Sequence, residues 1–119
     1  MSWPRARYAY VVTHVPFVDV VTLMLNEAIP LTTNEFDQWG NPEERVAYDH
    51  ILAYSPYHNV QPKDYPAPLV TSGLPDSQVQ YCEPAKWLAR LRASTTGQMP
   101  LLLKVNMQAG HGGRSGRLV

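Results

Sequence analysis

A second cysteine is what this chain most plainly lacks. Cys82 stands alone among 119 residues, so neither an internal disulfide nor a cysteine-based zinc site is available, which favours a reducing compartment. Net charge is missing as well, since ten Lys and Arg balance ten Asp and Glu. A neutral chain has no long-range field to draw it to nucleic acid or an anionic membrane, and neither is expected as a partner. Long apolar runs are also absent. Arg5 and Arg7 precede an apolar stretch at 8–12 that is too short to span a bilayer. Thr13, His14 and Pro16 beyond it do not resemble a signal cleavage site, and the chain reads as cytoplasmic. The eleven prolines and seven glycines are dispersed, with no low complexity or internal repeat. The length fits one domain with a core of its own.

What is present alternates between two periodicities. Residues 1–7 are polar and basic. Residues 8–15 are β-favouring and mostly apolar, the pattern of a strand buried on both faces, and Pro16 ends it because proline cannot donate to a ladder. Asp19 is placed to cap a short helix over 20–25, which Pro30 stops. Asn41, Pro42, Glu43 and Glu44 read as the cap, first position and first-turn acids of a helix running to about Tyr54. A loop with Pro56, Pro62, Pro66 and Pro68 follows, then a second strand at about 69–72 that leads to Asp76. Pro84 suits the first turn of a helix to about Ala93, with Trp87, Leu88 and Leu91 at helical spacing. A third strand at 101–105 runs into Ala109-Gly-His-Gly-Gly. Strands alternating with helices predict an α/β fold with a mostly parallel sheet and flanking helices. In such sheets ligand chemistry sits at the carboxyl ends of the strands, where Asp76 and His111 both fall.

An acid and then a histidine, each just past a strand, fit the last two places of the order nucleophile, acid, histidine on an α/β-hydrolase sheet. In that chemistry the histidine takes the serine proton, and the carboxylate holds the ring in the right tautomer. The spacing alone is a weak signal, because single Asp and His residues in loops are common. His14, His50 and His58 have no metal-like spacing and read as surface or loop histidines; no metal or cofactor is expected. Trp39, Trp87 and Tyr57 read as core. Thr32-x-x-Glu35 matches a capping box, in which the Glu side chain reaches back to an amide.

Several motifs occur together in order: Val15-Pro-Phe-Val-Asp-Val, Pro30-Leu-Thr-Thr, Glu35-Phe36, Trp39-Gly-Asn-Pro, Tyr54-Ser-Pro-Tyr, Gly73-Leu-Pro-Asp-Ser-Gln-Val-Gln-Tyr and Gly110-His-Gly-Gly. Over about 8–117 the chain resembles the prolyl oligopeptidase family of serine peptidases, with the pattern of its trypsin-like oligopeptidase B branch. The resemblance implies part of an α/β-hydrolase catalytic domain that cleaves short peptides after Arg or Lys. It gives Asp76 and His111 the triad roles. It also implies that Glu35 and Asp37 bind the basic side chain, as a carboxylate can grip a guanidinium in bidentate fashion. That turns the reading of Glu35 from capping to substrate binding.

The chain departs from the family pattern in several ways. Cys82 stands where the family usually has Trp and reads as a packing residue; Pro75 stands where it commonly has His, just before the acid. A Gly-x-Ser-x-Gly elbow is expected upstream of Val11 and is not found in 1–119. Gly113-Arg-Ser-Gly-Arg lacks the final glycine and follows His111, so Ser115 is out of place as a nucleophile. Ser72 and Ser77 read as local hydrogen-bonding residues. The family's propeller domain and final helix are likewise not found in 1–119, which is expected to be a partial catalytic domain, inactive alone. The alternatives are one half of a split hydrolase, whose amino-terminal half supplies the serine, or a non-catalytic association module.

Overall fold

The computed structural model describes residues 7–29 and 32–112. The elbow imitation around Ser115 and the helix stop at Pro30 fall outside them. Strands β1 (Tyr10–His14), β2 (Ala67–Gly73) and β3 (Leu102–Asn106) form a parallel sheet in the order β1-β2-β3. Parallel neighbours need crossover connections. The first carries α1 (Val20–Met24), a 3₁₀ turn (Thr33–Glu35), α2 (Phe36–Trp39) and α3 (Arg45–Tyr54); the second is α4 (Cys82–Ser94). The expected α/β sheet with flanking helices is what forms.

Alternation along the strands decides what is buried. Val70 on β2 is wholly buried, packed with Trp87, Leu88 and Leu91 of α4 and with Leu101. Side chains one residue away point to the other face. Register places Val12, Leu69 and Leu102 in one row across the three strands, and they are 55%, 36% and 52% exposed. The expectation that β1 is buried on both faces is therefore wrong. Among the described residues it lies at the edge of the three-stranded sheet, and α4 packs against β2 and β3. A second apolar cluster holds Val20, Val21, Met24 and Ile51, with Phe17, Phe36 and Trp39 packed against it.

One helix start also differs from expectation. Asn41 does not cap α3. Its Oδ1 accepts from Glu43 N–H at 3.0 Å in a turn, and the helix begins at Arg45, after an extended Glu44. The capping box, the reading of Glu35 that the resemblance displaces, does not form: Thr32 makes no side-chain cap bond, and Glu35 bonds the Trp39 indole. A helical φ at Thr32 and the short 3₁₀ turn leave no extended cap residue for the box to close on. Asp19 does cap α1, its Oδ1 accepting from Thr22 N–H at 3.4 Å.

Candidate active site

The turn after β2 holds Asp76 by local hydrogen bonds. Its Oδ1 accepts from the N–H groups of Gln78 and Val79, each at 2.9 Å, the arrangement by which an Asp side chain caps the chain that follows it. Its Oδ2 lies 3.1 Å from His111 Nδ1. The carboxylate is wholly buried while the His111 side chain is 43% exposed. One edge of the ring thus faces the acid and the other is open. The turn closes with Pro75 in place.

The two loops meet because Gly73 has no side chain. A Cβ there would lie 2.0 Å from the Ala109 carbonyl oxygen, closer than any packed atoms tolerate. The β3 loop therefore crosses directly over the end of β2, and that crossing brings His111, 35 residues downstream, to Asp76.

His111 opens onto a cavity of about 370 Å³, within the usual range for small-ligand sites. Its lining includes Phe17, Glu35, Trp39, Gln78 and Val79. Glu35 is held there by the Trp39 indole, whose Nε1–H donates to Oε2 at 3.0 Å. The Phe17 ring meets Trp39 edge-on at 5.6 Å. The structure thus brings together Asp76, His111 and Glu35. Asp37 is exposed on α2 and does not line the cavity. Trp87 is core as expected; Trp39 packs against the second apolar cluster and also forms a wall of the cavity. Cys82 is exposed, not packed, because it lies on the outer side of the first turn of α4.

A second Ser, His, Asp grouping has the wrong geometry for catalysis. Ser55 Oγ lies 3.0 Å and Asp19 Oδ1 3.7 Å from the same ring nitrogen, His58 Nδ1. A relay needs the hydroxyl and the carboxylate on opposite nitrogens. Ser55 is also fully buried. Asp19 instead pairs with Lys86 of α4. Burial alone would raise the Asp19 carboxyl, but the bond and charge of Lys86 and the Thr22 N–H outweigh it and lower it.

Sequence reasoning missed Glu83. It lies in the first turn of α4, where an acid ordinarily complements the helix dipole from the surface. It is 2% exposed, and its Oε1 accepts from Val18 N–H and Asp19 N–H, each at 2.7 Å. Burial pushes its carboxyl up to about 7, against the two amide bonds. No sequence signal pairs an acid with amides 64 and 65 residues away.

A sequence model described as the prolyl oligopeptidase family matches residues 4–118. The chain is 63% identical to dipeptidyl aminopeptidase BI of Pseudoxanthomonas mexicana over 93% of its own length and 15% of that protein. It is 54% identical to Protease 2 of Moraxella lacunata, over 92% and 16% respectively. Its fold is similar to oligopeptidase B from Leishmania major, with a TM-score of 0.84 and 47% identity, covering 87% of this chain and 14% of that one. The chain thus spans about 15% of the length of the first of these relatives.

Proposed function

The chain belongs to the prolyl oligopeptidase family of serine peptidases, and we propose that it supplies the acid and the histidine of a peptidase active site that cleaves short peptides after Arg or Lys. The observation that carries this reading is the buried Asp76 carboxylate at 3.1 Å from His111 Nδ1, on the edge of a cavity that also contains Glu35. A carboxylate on Nδ1 holds the proton there and leaves Nε2 as the base. On the open side of the ring, Nε2 takes the proton from a serine hydroxyl as it attacks the scissile carbonyl, then returns it to the leaving amine. The positive ring formed between these steps is stabilised by Asp76. Glu35 gives the cavity a negative charge for a guanidinium or ammonium, while Phe17 and Trp39 offer faces to the aliphatic stem. Asp37 then acts from the cavity's surroundings. The exposed thiol of Cys82 supports a reducing, cytoplasmic setting.

The serine comes from an amino-terminal part, made in one piece with this chain or separately. The uncovered row Val12, Leu69 and Leu102 and the edge position of β1 support such a partner. A nucleophile's loss costs about a millionfold in turnover, so the chain alone is expected to leave Arg- and Lys-linked chromogenic peptides uncut. Mixed with an amino-terminal part bearing the serine, it is expected to cut them in preference to Leu-linked ones. Hydrolysis by the chain alone, abolished by His111→Ala, would overturn the division of labour. No activity from the mixture would favour a non-catalytic association module.

The name of the 63% identical relative favours a second reading, removal of dipeptides from a free amino terminus. Comparing dipeptidyl-arginine chromogenic substrates with blocked and unblocked amino termini separates the two. A strict need for the free amine selects the second.

A further inference from the structure

Glu83 has no contact with the cavity, yet it holds the loop that builds the cavity's wall. Two consecutive amides converge on one carboxyl oxygen, which accepts both whether or not the group is ionised. Those amides, of Val18 and Asp19, belong to the link between β1 and α1, and Phe17 directly precedes them. The same link starts at Val15 with a φ of 45°, a region that β-branched residues avoid and that persists only where the surroundings enforce it. Val15 N–H is tied to Thr71 O at 2.8 Å on β2. The far end is tied to α4 by Glu83 and by the Lys86–Asp19 pair. Beyond the link runs a short series of contacts: Phe17 on Trp39, and the Trp39 indole on Glu35.

We propose that Glu83 is a positioning residue for the cavity, setting the Phe17–Trp39 wall and through it the Glu35 carboxylate, and so governing the grip on the basic side chain. The triad pair is held by other bonds and does not depend on it. This rests on the reading of the cavity as the subsite for that side chain. Asp76 is fixed by Gln78 and Val79 within its own turn, so the two halves of the site have separate supports.

The test uses the 119-residue chain labelled with ¹⁵N and titrated with acetyl-arginine amide, following the Trp39 indole N–H and the His111 ring resonances. Glu83→Ala is expected to weaken binding tenfold or more and to move the Trp39 signal, with the His111 ring signals unchanged. Glu83→Gln keeps an oxygen for both amides and is expected to stay within threefold of the parent. Should Glu83→Ala fail to fold, Glu83→Asp replaces it: the carboxylate is withdrawn by one methylene, and the same shifts are expected. An unmoved Trp39 signal with parental affinity in these variants overturns the proposal. So does a change that strikes His111 equally, which would make Glu83 a general structural residue. If the parent chain does not bind acetyl-arginine amide, it is the basic-side-chain reading that fails, and the Trp39 and His111 signals alone then decide the role of Glu83.

Discussion

Asp76 divides its work between two oxygens: one is held by the amides of Gln78 and Val79, the other faces His111. Asp76→Asn keeps the shape of the side chain but offers a donor where the ring needs an acceptor. In the complete peptidase it is expected to lower turnover by roughly ten-thousandfold with little loss of binding. A loss below tenfold would remove Asp76 from the triad. Glu83 and Asp19 titrate in opposite directions. The Glu83 carboxyl rises from an ordinary value of 4.5 to about 7, so its contribution to stability is full below about 4.5 and is lost as pH rises through 7. Lys86 and Asp19 face it, the second opposing its ionisation. Asp19 is lowered, so its contribution is present above 3.8 and is lost on acidification. Urea unfolding at pH 5 and pH 8 is expected to show the chain losing up to about 3 kcal/mol relative to Glu83→Gln at the higher pH. Parallel curves for the two proteins would refute a buried, titrating Glu83. From sequence, Asp76 and His111 were legible because their bonds are local or follow from strand order. Glu83 was not, because its partners are brought to it by the fold.

Among the elements, β2 carries most of the site. Its centre packs on α4, its end turns into Asp76, and Gly73 at its last position admits the loop from β3. Gly73→Ala puts a methyl group 2.0 Å from a backbone oxygen, which cannot swing aside as a side chain can. It is expected to destabilise the chain by about 1–3 kcal/mol in denaturant unfolding and to part Asp76 from His111. Retention of the parent's stability would show that the two loops do not cross so closely. The β-favouring runs and prolines made all three strands legible to within two residues at each end. The start of α3 was not, since Asn41 serves a turn as well as it serves a helix cap and only the backbone's course chooses between them.

For the molecule as a whole, the row Val12, Leu69 and Leu102 is its most consequential surface. Apolar side chains in register across a parallel sheet are ordinarily covered, and uncovered ones drive association. Leu102→Lys combined with Val12→Lys is expected to lower self-association of the isolated chain in sedimentation velocity. The same pair is expected to prevent productive mixing with an amino-terminal part. Unchanged sedimentation together with unchanged mixing would show that this face is not where a partner sits.

The sequence by itself determined the alternation of strand and helix, the α/β class and the order of acid and histidine, because these depend on local periodicity, proline placement and short motifs. It did not determine that β1 stands at an edge, nor that the Thr32 box gives way to a bond between Glu35 and Trp39. Nor did it determine that Glu83 on α4 would hold the link before α1. The first and last are long-range matters, and the second turns on the backbone's course at Thr32. A side chain's neighbours across 64 residues are set by which face of the sheet α4 covers, and only the tertiary structure decides that.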